Sequence, residues 1–247
     1  MKPLINQFIL NDEYKQTSQL CELRHQFAKN QYVYLPNLFT PTIFSILRSE
    51  VDRLEEFATH KNYQTNGLET ARNMKVFGGM KVFEKSPALS ILYIHHELRT
   101  LLKEITYGPI YHSTNEEIVG LHYLLETGNT HGWHLDDNPF ILIMIFYAPS
   151  KTNGGTMECI PNWVSYAQKM GYQENEPIGN YVEKCRKEHL VQEYYHAPGD
   201  AYLMRANQVL HRVTPLKKEN EKRAIVGFDY SYTLEVVNTD RVTGLYD

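Results

Sequence analysis

From Glu116 onward, the apolar residues of this chain stop recurring at helical spacing and fall into short β-like runs separated by turns. The runs cover 118–125, 140–147, 156–160, 190–195, 201–204 and 223–232. Upstream the period is helical. Thr40-Pro41 is a capping residue followed by proline at the first helical position, and Ile43, Phe44, Ile46, Leu47, Val51 and Leu54 then line one face. Ser86-Pro87 repeats the signal ahead of Leu89, Leu92, Leu98, Leu101 and Leu102, which read as one helix carrying the His95-His96 pair. Helices followed by short, widely connected strands predict an α+β, mainly β fold. The expected form is a jelly roll with N-terminal helices packed on one sheet.

The expected organisation is one domain over 1–247, with helix-rich support over about 1–110 and a jelly-roll core over about 111–235. Two segments stand outside the periodic pattern. Residues 60–84, with Asn66-Gly67 and Gly78-Gly79, show no clear period and read as an active-site loop. Residues 162–187 mix helix formers with the breakers Gly171, Pro177 and Gly179 and read as an insertion between strands.

A formal net charge of −4 gives no electrostatic footprint for nucleic acid or an anionic membrane, so the expected partner is a small molecule. Cys21, Cys159 and Cys185 match neither a disulfide framework nor a paired zinc motif and read as inert thiols. With no stretch long and apolar enough to span a bilayer and no secretory signal pattern, the expected location is the cytoplasm.

The densest chemistry lies in His131-Gly132-Trp133-His134-Leu135-Asp136-Asp137. On a strand, His134 and Asp136 would face the same way, with Leu135 pointing opposite. A late imidazole is available at His211, before Arg212-Val213-Thr214-Pro215. Two histidines and one carboxylate form the facial set that non-haem Fe(II) oxygenases use, leaving positions open for cosubstrate and O₂. Arg223 opens the last strand, and its planar fork suits the distal carboxylate of 2-oxoglutarate. The His95-His96 pair, by contrast, reads as structural because adjacent helical residues diverge.

The run Gly128-Asn129-Thr130-His131-Gly132-Trp133-His134, the pair Gly154-Gly155, Pro198-Gly199-Asp200 and His211-Arg212-Val213-Thr214-Pro215 together resemble the small Fe(II)/2-oxoglutarate enzymes that chlorinate or hydroxylate free amino acids, notably the lysine halogenases and their hydroxylase relatives. The resemblance implies a double-stranded β-helix. It also implies oxidative decarboxylation of 2-oxoglutarate to succinate and CO₂, coupled to attack on an unactivated C–H bond. Halogenases of this kind carry a small residue, usually glycine, at the metal carboxylate position; here it is Asp136, which implies hydroxylation. The resemblance assigns the amino-acid substrate to Glu117, His131 and Asp137, and its carboxylate to Arg72.

The last strand departs from the lysine-specific pattern. Gly227 and Asp229 stand where that group has Asn and Thr, and its C-terminal tryptophans are absent. Alternation places Asp229 on the face of Arg223, so the expected substrate is a basic amino acid, lysine-, ornithine- or arginine-like. A hydrophobic or carrier-bound substrate, as in the phytanoyl-CoA hydroxylases, is the alternative within the fold. A cupin-like isomerase or a non-catalytic metal-binding protein is the alternative outside the class.

Overall fold

The computed structural model describes residues 8–65, 68–113, 116–173, 176–235 and 245. Seven α-helices are formed among them: α1 (Thr17–Asn30), α2 (Pro41–Leu54), α3 (Met80–Lys85), α4 (Pro87–Ile94), α5 (His96–Thr106), α6 (Trp163–Met170) and α7 (Gly179–Lys187). In α2 the proline occupies the first turn, and Ile43, Leu47, Val51 and Leu54 form the buried stripe. The single helix expected after Ser86 is two. Ser86 Oγ caps α4 by accepting from the Leu89 amide, but His95 is extended (φ −61°, ψ 127°) and its ring accepts from the Glu97 amide to start α5. The pair His95-His96 therefore spans a helix break.

Twelve strands join one curled antiparallel sheet. They are β1 (Tyr32–Leu35), β2 (Thr59–Gln64), β3 (Ala71–Gly78), β4 (Tyr111–His112), β5 (Val119–Leu124), β6 (Thr130–His134), β7 (Phe140–Tyr147), β8 (Met157–Ile160), β9 (Gln192–Tyr194), β10 (Ala201–Met204), β11 (Leu210–Val213) and β12 (Arg223–Ser231). The order is β1-β10-β7-β12-β5-β3-β6-β11-β8-β9, with β2 on the free side of β3 and β4 beside β12. One expectation is corrected here. The 60–84 segment is no structureless loop: it holds the β2–β3 hairpin and most of α3, and β3 lies between β5 and β6 in the strand order. The first 110 residues, which hold α1 to α5, also supply β1, β2 and β3 to the sheet.

The core sits between the helices and one face of the sheet. Along β7, Phe140, Leu142, Met144 and Phe146 pack toward α1, α2, α4 and α5, whereas Ile141, Ile143 and Ile145 line the barrel interior. Burial on both faces makes β7 read as an unbroken apolar run. The same alternation sends Ala224, Val226, Phe228 and Tyr230 of β12 to the helical core. Arg223, Ile225, Gly227 and Asp229 are left to face the interior. The 162–187 insertion folds as α6 and α7 over β8, β11 and Trp133, with Val182 and Cys185 buried.

Candidate active site

The interior end of the barrel gathers His131, His134, Asp136 and His211 with Arg72, Glu117, Asp137, Arg223 and Asp229. His134 closes β6 and His211 lies on β11, and the two are cross-strand partners with ring centroids 4.0 Å apart. Asp136 lies two residues past the end of β6, so strand alternation does not place it; its amide instead donates to the Ala206 carbonyl at 3.2 Å. Its carboxylate reaches 3.4 Å from His134 Nε2 and 3.7 Å from His211 Nε2. One donor atom from each of the three residues lies within 4.8 Å of the others, and all three residues are buried.

The tautomers are set from outside this triangle. His134 Nδ1 is 2.7 Å from the Gly132 carbonyl and His211 Nδ1 is 3.0 Å from the Val209 carbonyl. A carbonyl only accepts, so each Nδ1 carries the proton and each Nε2 turns a lone pair inward. Burial holds both imidazoles below the ordinary histidine range. The neighbouring His211 adds to this for His134, while Asp136 partly opposes it for His211. Two neutral imidazole lone pairs and a carboxylate thus converge in acceptor–acceptor contact. That contact is favourable only around a cation, and metal bonds of about 2 Å fit donors this close. The donor set suits Fe(II).

His131 and His134 are three apart, which on a regular strand puts them on opposite faces. Their rings nevertheless stack at 3.9 Å. The register explains it. His211 pairs with His134 and Val213 with His131, so β6 carries an extra residue, and the bulge turns both histidines inward. Gly132 within the bulge is required by space, because a Cβ there would meet the Ala71 carbonyl oxygen at 2.7 Å. The Gly132 carbonyl faces His134 Nδ1 and also accepts from Arg72 Nη1 at 3.1 Å. Arg72 is therefore on a buried strand, β3, directly paired with His131, and not in a loop.

Opposite the histidines lies an acidic group. Glu117 Oε2 accepts from the Asp137 amide and from Asn138 Nδ2, each at 3.3 Å. Burial raises the Glu117 carboxyl well above its ordinary value, and Asp136 and Asp137 raise it further. Asp229 is also buried, and no hydrogen bond reaches its Oδ1. Burial, then Glu117, Asp136 and Asp137, raises its carboxyl well above the ordinary range. At the far side, Arg223 is 3% exposed and forms no ion pair among the described residues. Burial lowers its pKa, while the Tyr202 phenol, which faces it, partly compensates.

Three residues of this pocket escaped the sequence reading. His122 of β5 meets the His131 ring edge-on at 5.1 Å and is pushed to a pKa of about 3 by burial, with Arg72 and Arg223 adding to the shift. Tyr202 of β10 faces Arg223. Asn138 links Glu117 to Ser113 Oγ, which donates to Asn138 Oδ1 at 3.0 Å. The available signal was alternation: His122 is the polar residue on a strand whose other face, Val119, Leu121 and Tyr123, belongs to the helical core.

This geometry belongs to a known class. The fold is that of the 2-oxoglutarate-dependent non-haem iron enzymes. It is similar to the non-heme alpha-ketoglutarate-dependent epimerase SnoN from nogalamycin biosynthesis, with a TM-score of 0.65 at 12% identity over 87% of this chain and 82% of that one. It is also similar to HygX from Streptomyces hygroscopicus, solved with nickel and 2-oxoglutarate bound, with a TM-score of 0.59 at 12% identity over 91% and 92% of the two chains. A Pseudomonas putida prolyl-4-hydroxylase aligns with a TM-score of 0.56 at 12% identity over 87% and 100%. The family model described as HalD, Halogenase D, matches residues 15–242, and the chain belongs to that family. No curated protein matches it by sequence.

Proposed function

We propose that this protein is an Fe(II)- and 2-oxoglutarate-dependent hydroxylase of a free basic amino acid or a close derivative. The observation that carries the reading is the inward convergence of His134 Nε2, His211 Nε2 and the Asp136 carboxylate, with a carboxylate at the position where the halogenases it resembles leave room for halide. Bound iron and 2-oxoglutarate supply the oxidant, because decarboxylation of the cosubstrate to succinate and CO₂ activates O₂ for attack on a C–H bond.

The chain does the rest. His134, Asp136 and His211 hold the metal. Arg223 would hold the distal carboxylate of 2-oxoglutarate, whose negative charge would offset the cost of burying the guanidinium. Glu117, Asp137 and Asp229 receive the cationic side chain of the substrate, while Arg72 and His131 orient its carboxylate. An anionic or purely apolar substrate would leave the acids uncompensated, so the acidic group disfavours the phytanoyl-CoA-type reading.

The test is a mass-spectrometric screen of free lysine, ornithine, arginine and their derivatives with Fe(II), 2-oxoglutarate, ascorbate and air in chloride buffer. The expected product is one oxygen atom heavier, forms with succinate, and disappears in His211→Ala. A chlorinated product overturns the hydroxylase assignment. An isomer of unchanged mass overturns it as well and favours an epimerase, and turnover confined to acyl thioesters overturns the amino-acid assignment.

A further inference from the structure

Beside Arg223 the interior holds a file of oxidisable rings that the proposed hydroxylation does not use. Tyr202 is buried, faces Arg223 and lies close enough to Asp136 to feel its charge. The His196 ring stacks on it at 4.6 Å, and Tyr32 lies at 5.6 Å. The Tyr32 hydroxyl is 2.7 Å from His196 Nε2, and its ring stacks on Tyr194 at 4.4 Å. Tyr34 lies 5.6 Å from His196, is 38% exposed, and donates from its hydroxyl to Asp200 Oδ2 at 2.6 Å. Phenylalanine or leucine would fill this space without bringing polar tips that need partners.

The proton acceptors are placed as phenol oxidation requires. A phenol gives up an electron readily only if its proton leaves too. His196 is neutral, held at a pKa of about 3 by burial and then by Arg223, so in its Nδ1–H tautomer it offers a lone pair to Tyr32. Tyr34 has the Asp200 carboxylate. Tyr202 hydrogen-bonds the Arg223 cation and packs on His196 and Tyr32, so it serves as a bridge between the site and Tyr32.

We propose that Tyr202, His196, Tyr32 and Tyr34 form a relay that carries an oxidising equivalent from the metal pocket to the surface when no substrate C–H bond is within reach. The proposal rests on the oxygenase reading above. Tyr32 gives one electron, through Tyr202, to the O₂-derived oxidant at the metal; its O–H bond breaks and the proton moves to His196 Nε2, leaving a phenoxyl radical. Tyr34 then returns an electron to Tyr32, which recovers its proton from His196, while the Tyr34 proton passes to Asp200. At the surface a solution reductant of the thiol or ascorbate class gives one electron to Tyr34 and releases its own proton to water. Tyr34 recovers the proton held by Asp200. The site oxidant gains that one electron and takes a proton from solvent, and two passages quench a two-electron oxidant.

The experiment uses full-length protein with Fe(II), 2-oxoglutarate and air, without amino acid and with limiting ascorbate. It follows succinate, freeze-quenched electron paramagnetic resonance and a peptide map of oxidised side chains. The parent should show a phenoxyl signal and oxidation at Tyr32, Tyr34 or Tyr194. Tyr32→Phe should lose the signal and shift oxidation to residues beside the metal. Tyr34→Phe should prolong the signal and make it insensitive to added ascorbate. Both variants should form succinate at the parental initial rate and inactivate severalfold sooner. Succinate without any tyrosine oxidation in the parent, or identical signals and maps in both variants, overturns the relay alone. No succinate in the parent overturns the oxygenase reading and the relay with it.

Discussion

Asp229 shows the conflict between fold and site in a single residue. It is buried on the interior face of β12, its Oδ1 receives no hydrogen bond, and its carboxyl is raised well above the usual range by burial and the acids around it. A charge in that position destabilises the empty protein, and a cationic ligand offsets the cost. Asp229→Asn should therefore stabilise the ligand-free protein by about 1–2 kcal/mol, on the order of one unmatched buried polar group, which calorimetry would show as a rise in Tm of a few degrees. Titration calorimetry with the basic amino acid should show weaker binding in the same variant. A variant no more stable and no weaker in binding would assign Asp229 a structural role. Residue types and order made His134, Asp136 and His211 legible as one cluster, because few side chains ligate a metal. Tyr202 was not legible, since an aromatic on a strand usually signals packing alone. The inward turn of His131 was likewise hidden, because it depends on a bulge that only the pairing of β6 with β11 reveals.

At the scale of elements, the insertion carrying α7 is tied to the strand that presents His211. Glu158 of β8 accepts from Arg212 Nε at 2.7 Å and from both terminal nitrogens of Arg186 at 3.2 and 3.1 Å, joining β8, β11 and α7. The two arginines hold the Glu158 carboxyl below its ordinary value although burial opposes them. Its stabilising contribution is therefore full above the ordinary carboxylate range and is lost as pH falls from that range through its lowered folded value. Glu158→Ala should cost about 1–3 kcal/mol, less than a fully buried pair because Arg186 and Arg212 are partly exposed. Arg212 neighbours His211, so the same variant should lower iron retention after gel filtration. Unchanged iron content would uncouple the insertion from the site. The β2–β3 hairpin eluded the sequence reading for a related reason. Strand β3 alternates cleanly, with Arg72, Met74, Val76 and Gly78 buried, but its first inward residue is a charged one serving the pocket. Strand β2 is an exposed, polar edge with no apolar face to detect.

For the molecule as a whole, the pocket makes stability, pH and metal interdependent. His131, His134, His196 and His211 are buried, His122 is half-buried, and all five have their pKa values lowered, His122 and His196 to about 3. Each binds its proton less readily folded than unfolded. Their contributions are therefore complete above the ordinary histidine range and are lost as pH falls below it, for His122 and His196 between about 6.5 and about 3. Glu117 and Asp229 have the opposite sign, losing stability as pH rises above the ordinary carboxylate range, but they are outnumbered by the histidines on the acid side. Metal binding adds to this balance because it requires the Nε2 lone pairs of His134 and His211 to be free of protons. Anaerobic Fe(II), or Mn(II) as a redox-inert probe, should raise Tm near neutral pH. At a hundredfold excess over Kd the gain is about 2.7 kcal/mol, or roughly 5–10 °C for a chain of this size. The rise should hold through the ordinary histidine range and shrink only at lower pH, where protons reach the depressed imidazoles of His134 and His211 and compete for the same nitrogens. His211→Ala should show no rise at any pH, while a surface change such as His25→Ala should behave like the parent. A metal-dependent shift surviving in His211→Ala would place the cation elsewhere than at His134, Asp136 and His211.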